Sequence, residues 1–327
     1  MRVIAGSGRS GTTWVLDCLA DANALRPVFE PLHPARSEIG ARYAYKLIEP
    51  GESHPELQHY FEEIQSSHHW STWTTYRSSL ERLFPRRAKL FSLEELRRAR
   101  YHWRQLLKNF WTLQRAARRD EPLIKCIRAN LALGWLVKSL GARVVMIVRH
   151  PCAVVESQHR LGTNGRAWNP SPVLDRFRAD RRFNECTQGA YLELMNQKLT
   201  TLEALTLLWV MENKWAVDRA ADYGYSLVSY EELLAEPETQ WLRICKALSL
   251  AHVPTLINLQ RPSQQSSRDL LAHGTTPDTT WVRRFGTDQL AQIQRVLDET
   301  HFDLYRVGST HPDMPLAHSV SEARHDL

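Results

Sequence analysis

The sequence has few cysteines, no long apolar run and no large excess of either charge. Its five cysteines are scattered, and no two are spaced as a C-x-x-C pair or as the ligands of a metal site. Their odd number argues against a disulfide framework and favours a reducing compartment, so we expect a cytoplasmic protein without a metal. No run of 18 apolar residues occurs, so no membrane span is expected. The first apolar run begins at residue 2, so we expect no signal peptide.

The composition is typical of a soluble globular protein. Of the 327 residues, 43% are hydrophobic and 24% are charged, so the chain has enough apolar residues to bury a sizeable core. Lysine and arginine number 42 against 36 for aspartate and glutamate, which gives a net charge of +6. This excess suits an anionic ligand but is too diffuse to indicate nucleic-acid binding. We therefore expect no nucleic-acid partner.

A glycine-rich segment near the start, GSGRSGTTW over residues 6–14, almost matches the phosphate-binding motif G-x-x-x-x-G-K-[ST]. Gly6 and Gly11 are correctly spaced, but Thr12 occupies the lysine position and Arg9 lies inside the loop. The apolar run RVIA precedes the segment and a helical pattern over residues 12–19 follows it. This order of strand, loop and helix is the one that a phosphate-binding loop requires.

The chemistry of this loop favours an anion other than a nucleoside triphosphate. Backbone N–H groups at a helix N-terminus bind phosphate or a sulfate-like group. In a triphosphatase the missing lysine would reach the β- and γ-phosphates, and the sequence has no clear second acidic motif for Mg²⁺. The predicted anion-binding residues are Arg9, Ser10, Gly11, Thr12 and Thr13.

Further apolar segments, separated by helical patterns, predict the rest of a sheet. Strands that alternate with helices form parallel sheets covered on both faces. We therefore predict an α/β fold, a P-loop-type parallel sheet flanked by helices, within a single domain over residues 1–327. The predicted strands after the first cover residues 26–31, 122–127, 142–148 and 225–229.

The long stretch over residues 35–120 is predicted to be a helical insertion that shapes the binding cleft. Its last part, residues 93–119, has the pattern of a basic amphipathic helix. Such a face is either merely solvated or a rim that attracts an acidic substrate. The cations on it are Arg97, Arg104, Lys108, Arg115 and Arg119.

A second anion-binding motif is found in VVMIVRHPCAVVES, residues 144–157. Arg149 follows a predicted strand, and Ser157 lies about two turns along the next helix. Because the carboxyl ends of parallel strands line one crevice, we expect Arg149 to face the same cleft as Arg9. Arginine forms strong charge-assisted bonds to phosphate, although an arginine here could equally cap a helix or form a salt bridge.

Together these motifs resemble those of the sulfotransferases that use 3′-phosphoadenosine-5′-phosphosulfate. The family's 5′-phosphosulfate loop is similar to GSGRSGTTW, and its 3′-phosphate motif, an arginine followed eight residues later by a serine, is similar to Arg149 and Ser157. VFEPLHP, residues 28–34, is similar to the FEP segment of carbohydrate sulfotransferases, and tyrosylprotein members have a glutamate at about this distance. Both groups carry arginine at the position of Arg9, where cytosolic small-molecule members carry lysine.

The resemblance implies roles for individual residues. It gives Glu30 the role of general base. Apart from the resemblance, His33, three residues on, is the substitute base, although a lone loop histidine is more often only part of a polar surface. Considered alone, Glu30 could also be a structural carboxylate paired with an arginine. Lys125, in IKCIRANLALGWL, matches a lysine near the transferred group, and Arg9 and Lys125 would stabilise the developing charge. Tyr230, in LVSYEELLAEP, matches a tyrosine beside the 3′-phosphate.

The sequence therefore predicts a sulfotransferase that acts on a hydroxyl of a glycan or a glycosylated metabolite. A tyrosyl peptide or another small molecule is the alternative acceptor. A P-loop nucleotide-binding or kinase-like protein, or an anion-binding module without catalysis, is the alternative function. Residues 266–281 occupy the place of the family's late cofactor-covering loop, but they match it poorly, so we assign them no contacts.

Overall fold

A computed structural model describes residues 1–35, 37–66, 119–163, 169–255 and 280–313. In this part of the chain, strands form one parallel sheet in the order β2-β3-β1-β4-β5. The α/β fold with a parallel sheet, predicted from the sequence, is confirmed. The strands are β1 (Arg2–Gly6), β2 (Arg26–Phe29), β3 (Pro122–Cys126), β4 (Arg143–Val148) and β5 (Ser226–Ser229).

The strands form where continuous apolar runs were predicted, and their ends differ from the prediction by one or two residues. Such runs are typical of parallel strands, which are buried on both faces. Val3 and Ala5 of β1 join one core cluster, whereas Ile4 between them joins the other. This alternation follows from the two-residue period of a strand. β2 ends at Phe29 because the next residue, Glu30, has a left-handed backbone with φ 51°.

Helices cover both faces of the sheet. They are α1 (Thr12–Ala22), α2 (Glu38–Tyr43), α3 (Pro55–Gln65), α4 (Leu133–Leu140), α5 (Pro151–Thr163), α6 (Ser171–Ala179), α7 (Arg181–Cys186), α8 (Leu192–Asn196), α9 (Thr201–Asp218), α10 (Ala220–Tyr223), α11 (Tyr230–Ala235), α12 (Pro237–Leu248), α13 (Thr280–Arg284) and α14 (Thr287–Glu299), with a 3-10 turn at Asn130–Ala132. None of the described helices has the length and apolarity needed to cross a bilayer.

The two faces carry different helices. Helices α1 and α12 pack on the face of Ile4, where Leu16 and Trp241 are fully buried. Helix α9 belongs to the other core cluster, through side chains that include Trp209. A capping box between Thr200 and Glu203 fixes the start of α9. Because α9 is buried along much of its length, its polar side chains there are confined to the interior of the protein.

The predicted insertion is described in part. Residues 37–66 contain α2 and α3, and the apolar side of α3 packs into the larger core through Leu57, Phe61 and Ile64. The buried Arg26 donates a hydrogen bond to the carbonyl of Ile64 at 2.7 Å, which ties the end of α3 to β2. The predicted basic helix lies outside the described residues, except Arg119. Residues 266–279 of the predicted covering loop also lie outside them.

Candidate functional site

The predicted site residues lie along one edge of the sheet. Glu30 follows β2, Lys125 lies near the end of β3, Arg149 follows β4 and Tyr230 follows β5. The predicted anion loop, residues 6–13, begins at the last residue of β1. Because all five strands are parallel, these positions share the carboxyl edge, in the order of the strands. The anion loop is central because β1 is the middle strand, with β3 on one side and β4 on the other.

The backbone of the anion loop turns through three residues with positive φ. These are Gly6 at 144°, Arg9 at 76° and Gly11 at 90°. The N–H and the hydroxyl of Ser10 both donate to the carbonyl of Ser7, at 3.2 and 2.7 Å. A Cβ atom on Gly11 would lie 2.3 Å from the ring of Tyr230, so both conformation and space require glycine at this position.

Side chains from neighbouring elements hold the loop from outside. The amide oxygen of Asn130 accepts from the N–H of Gly6 at 3.2 Å, and its amide nitrogen donates to the carbonyl of Glu212 at 2.9 Å. Gln158 donates from Nε2 to the carbonyl of Gly8 at 3.0 Å. These contacts connect the loop to α5, to α9 and to the turn after β3. The loop is therefore positioned before any ligand binds.

Several polar groups of the loop are suited to an anion. The hydroxyl of Ser7 is fully buried and has no hydrogen-bond partner among the described residues. No side chain caps the N-terminus of α1 at Gly11, and the first turn of α1 contains no acidic residue. A helix N-terminus of this kind attracts negative charge through its N–H groups and its dipole. The loop therefore fits a phosphate or a phosphosulfate.

Arginines converge on the side of the loop that faces β4 and β5. Arg9 donates from Nε to the hydroxyl of Ser157 at 2.9 Å, and Arg149 donates to the carbonyl of Arg9 at 3.0 Å. The guanidinium of Arg149 lies 4.5 Å from the centroid of the Tyr230 ring. Burial lowers the pKa of Arg9, and the positive charges of Arg149 and Arg160 lower it further. A bound anion would relieve this repulsion.

One buried carboxylate partly compensates these cations. Glu156, which precedes Ser157 in α5, lies 3.4 Å from Nε of Arg160 and also pairs with Arg284 of α13. The exposed fraction of Glu156 is 6%. The ion pair with Arg284 joins the segment after residue 280 to the helix that carries the second anion motif. At Arg9 the positive charges of Arg149 and Arg160 are opposed by the negative charge of Glu156, and the two arginines have the larger effect.

Glu30 lies at the other end of this edge within a buried ion cluster. Its carboxylate accepts hydrogen bonds from Nζ of Lys125, from Arg128 at 2.7 Å and from the N–H of Ile127 at 3.3 Å. Its exposed fraction is 2%. Burial alone would raise the pKa of Glu30, but Lys125, Arg128 and these hydrogen bonds hold the pKa below its ordinary value. Glu30 is therefore ionised at neutral pH.

Lys125 and Arg128 hold this carboxylate from β3 and from the turn after it. Lys125 also lies with Nζ 4.5 Å from the centroid of the Phe29 ring, and its own exposed fraction is 4%. Burial alone would lower the pKa of Arg128, but the charge of Glu30 raises it. Arg128 therefore remains charged beside Glu30. The two cations favour the charged form of this carboxylate. To accept a proton, it must come within hydrogen-bonding distance of the group that donates it.

His33, the predicted substitute base, lies in the turn that follows Glu30. Its backbone N–H donates to the carbonyl of Glu30 at 3.1 Å, and its Nδ1 accepts from the N–H of Ala35 at 3.2 Å. The imidazole is partly exposed. The Nδ1 contact is local to the turn. The roles of Glu30 and His33 remain predictions.

The sequence interpretation missed four residues that shape this site: Arg128, Asn130, Gln158 and Glu212. Arg128 and Asn130 follow β3 within four residues of its end, and the predicted strand edge could have drawn attention to them. Gln158 is next to Ser157. Glu212 lies in the middle of an apolar helix. The sequence feature that could have drawn attention to it is an acidic residue at a position that the helical period places in the core. In the described part of the chain, no group of three or more acidic, histidine or cysteine side chains could hold a metal ion.

Comparisons with known proteins identify a family. A model described as "Sulfotransferase family" matches residues 3–254 of the chain. A comparison with curated protein sequences finds no significant match.

Similar solved structures include a sulfotransferase domain from the curacin biosynthetic pathway, which is 15% identical with a TM-score of 0.42 over 93% of this chain and 98% of that chain. A sulfotransferase domain from the Synechococcus PCC 7002 olefin synthase is 17% identical, with a TM-score of 0.36 over 96% and 95%. A sulfotransferase from Alicyclobacillus acidocaldarius is 12% identical, with a TM-score of 0.36 over 91% and 95%. The family assignment depends on the match of residues 3–254 to the family model and not on these structural similarities.

The ion cluster predicts how stability depends on pH. Glu30→Gln leaves Lys125 and Arg128 buried without a counter-charge, so it should lower the free energy of unfolding by about 3 to 5 kcal/mol at pH 7. Because the pKa of Glu30 is depressed in the folded state, its contribution is complete above its ordinary pKa of 4.5 and disappears as the pH falls through the folded value. Urea denaturation from pH 7 to pH 3 should show the two proteins converging only below about pH 4.5.

A matched control is available at an exposed ion pair. Glu56 contacts Arg42 on the surface, with 55% of its side chain exposed, so Glu56→Gln should change the free energy of unfolding by less than about 1 kcal/mol. If Glu30→Gln has an effect as small as Glu56→Gln at pH 7, the buried carboxylate is not ionised and the description of the cluster is wrong.

Proposed function

The chain belongs to the sulfotransferase family, and from this premise we propose that it transfers a sulfuryl group from 3′-phosphoadenosine-5′-phosphosulfate to a hydroxyl of a glycan or a glycosylated metabolite. The anion loop would bind the 5′-phosphosulfate through Arg9, Ser10, Gly11, Thr12 and Thr13. Arg149, Ser157 and Tyr230 would bind the 3′-phosphate. Glu30 would accept the proton of the acceptor hydroxyl.

The observation that carries this proposal is the contact between the two anion motifs. Arg9 of the loop donates to Ser157 of the second motif, and Arg149 of that motif donates to the backbone of Arg9. Two motifs that are about 140 residues apart in the sequence thus form one positively charged surface. A donor that carries a phosphate on O3′ and a phosphosulfate on O5′ of one ribose needs two anion sites close together, and arginine forms strong charge-assisted bonds to such groups.

The chemical step needs a proton acceptor and positive charge near the leaving group. As the acceptor oxygen forms its bond to sulfur, the bond between sulfur and the bridging phosphate oxygen breaks, and the hydroxyl proton moves to Glu30. Lys125 and Arg9 would stabilise the negative charge that develops on the departing phosphate. Glu30 is ionised before the reaction, so it is ready to accept a proton. Lys125 donates a hydrogen bond to Glu30, so the proposed base and one of the proposed charge-stabilising groups are in direct contact.

Support for a glycan acceptor comes from the loop and from the segment after β2. Arginine at position 9 and the FEP segment at residues 29–31 are shared with the carbohydrate branch that the sequence resembles. The described part of the predicted insertion begins shortly after Glu30, with α2 and α3, so we assign it to the acceptor side. Two buried hydrogen bonds hold α3 against β2 and the turn after it. Arg26 of β2 donates to the carbonyl of Ile64, and the hydroxyl of Tyr60 donates to the carbonyl of Pro31.

The first test concerns the donor nucleotide and metal. We expect adenosine 3′,5′-bisphosphate to stabilise the protein in the presence of a chelator, because the loop supplies its own donors and lacks the triphosphatase lysine. A ligand at about 100 times its Kd adds about 2.7 kcal/mol to the free energy of unfolding. Thermal denaturation should show this increase with the bisphosphate and a smaller one with ATP. Stabilisation that needs both ATP and Mg²⁺ would contradict the proposal.

Two glycine variants make this test specific to the loop. Gly11→Ala should abolish the stabilisation, because a Cβ atom there meets the Tyr230 ring at 2.3 Å and the residue has φ 90°. Gly308→Ala is the matched control, since no atom lies within 4 Å of a Cβ at that position. Equal stabilisation of both variants would place the nucleotide elsewhere.

The second test separates the base from the donor anchor. Glu30→Gln cannot accept the proton, so kcat should fall by roughly 10² to 10⁴ with nearly unchanged nucleotide affinity. Arg149→Ala loses a charge-assisted contact of about 1.5 to 3 kcal/mol, so nucleotide Kd should rise roughly tenfold to more than a hundredfold. Calorimetric titration measures Kd and the fraction of protein that binds, and steady-state rates measure kcat.

Controls for this test follow from the ion cluster. Because Glu30→Gln is expected to lower stability, rates are divided by the binding-competent fraction from calorimetry. His33→Ala provides the comparison for the substitute base. If Glu30→Gln retains normal kcat while His33→Ala is inactive, the base is His33 and the assignment of Glu30 is wrong.

A further inference from the structure

Glu212 is a buried carboxyl group beneath the anion loop that the proposed transfer step does not use. It lies in the middle of α9, and its exposed fraction is 2%. Its Oε2 atom is buried and has no hydrogen-bond partner among the described residues. Burying a carboxyl group without a complete set of hydrogen-bond partners costs free energy of folding, so the presence of such a group calls for a structural or functional explanation.

The contacts of Glu212 lead directly to the anion loop. The carboxyl group accepts a hydrogen bond from the N–H of Gly8, which is in the loop. The backbone carbonyl of Glu212 accepts from Asn130, whose amide oxygen accepts from the N–H of Gly6. Side chain and backbone of one residue thus hold the loop at two positions, Gly6 and Gly8. Gln158 holds the carbonyl of Gly8 from the other side.

Described charged and titratable groups act on Glu212 from three elements. Arg128 follows β3, Glu30 follows β2, and Tyr45 lies between α2 and α3. Burial raises the pKa of Glu212 to about 8, the negative charge of Glu30 acts in the same direction, and Arg128 and the Gly8 N–H oppose this shift. Arg128 already forms an ion pair with Glu30 at 2.7 Å, so it compensates one carboxylate and not two.

We propose that Glu212 is a positioning residue for the anion loop that works in its protonated form, so that the loop binds its nucleotide only while Glu212 is uncharged. This inference rests on the proposed function, because it takes the loop as the site of the 5′-phosphosulfate. The uncharged carboxyl holds Gly8 without placing a negative charge behind the N–H groups that face the anion. Ionisation would place that charge within the same buried region, where it is poorly screened.

The expected size of the effect follows from linkage. If the nucleotide binds only the protonated form, and Glu212 titrates at about pH 8, the nucleotide Kd should rise roughly tenfold between pH 7 and pH 9. The phosphates of the nucleotide change little over this range, since their second pKa is about 6. A pH dependence of this size therefore belongs to the protein.

The experiment titrates adenosine 3′,5′-bisphosphate calorimetrically into wild type, Glu212→Gln and Glu203→Gln at pH 7 and pH 9. Glu212→Gln keeps the shape and the acceptor oxygen but cannot ionise, so its Kd should be nearly the same at both pH values. Glu203→Gln is the matched control, because Glu203 lies in the same helix with 7% exposure and pairs with Arg295. It should retain the roughly tenfold rise of the wild type.

A second measurement needs no ligand. Because the folded pKa of Glu212 is raised above its ordinary value of 4.5, its contribution to stability is complete below pH 4.5 and is lost as the pH rises through about 8. The melting temperature of Glu212→Gln should therefore increase relative to wild type between pH 6 and pH 9. Infrared difference spectra of the wild type over the same range should show the loss of one protonated carboxyl band, which tests the proton even if the variant does not fold.

The outcomes are distinguishable. A wild-type protein that binds the bisphosphate at pH 7 with a pH dependence equal to that of Glu212→Gln overturns this inference and leaves the proposed function intact. A wild-type protein that does not bind the bisphosphate at pH 7 overturns the proposed function and this inference together. An infrared spectrum without a protonated carboxyl band at pH 6 overturns the inference independently of any nucleotide.

Discussion

The hydrogen bond from Arg9 to Ser157 is the interaction on which the site depends, because it joins the loop after β1 to the helix after β4. Arg9, which forms this bond, has a left-handed backbone with φ 76°. Arg149 then holds the carbonyl of Arg9 and lies against Tyr230. Like charges are thereby collected at one edge of the sheet, and the repulsion among them favours the binding of an anion with two charged groups.

Two buried glutamates near this edge have pKa values that their surroundings shift in opposite directions. Glu30 has two cations within hydrogen-bonding distance and is ionised. Among the described residues, Glu212 has one backbone donor and a cation already paired with Glu30, so burial raises its pKa to about 8. An ionised carboxylate can accept a proton, and a neutral one can lie close to an anion without repelling it. The same residue type is therefore suited to two tasks by its surroundings alone.

The sequence predicted the parts of this arrangement that depend on local pattern. Apolar runs gave the strands to within two residues, and the glycine spacing gave the loop, because both are set by neighbours in the chain. Parallel pairing also predicted that Arg149 would face the same cleft as Arg9. Local pattern did not single out Arg128 and Glu212, because their importance lies in contacts with residues 98 and 82 positions away, Glu30 and Asn130. The sequence left open that Glu30 is a carboxylate paired with an arginine, and the structure shows this pair with Arg128, a partner that the sequence did not identify.

The transfer of labelled sulfate is the measurement that tests the account most directly. The protein would be incubated with a chelator and 3′-phosphoadenosine-5′-phosphosulfate labelled on sulfur, together with glycans, glycosylated metabolites, tyrosyl peptides and simple phenols. We predict that label moves to a glycan or glycosylated hydroxyl without a divalent metal, because Arg9, Lys125 and the loop supply the positive charge. Absence of label from every acceptor, together with transfer of the γ-phosphate of ATP when Mg²⁺ is added, would contradict it.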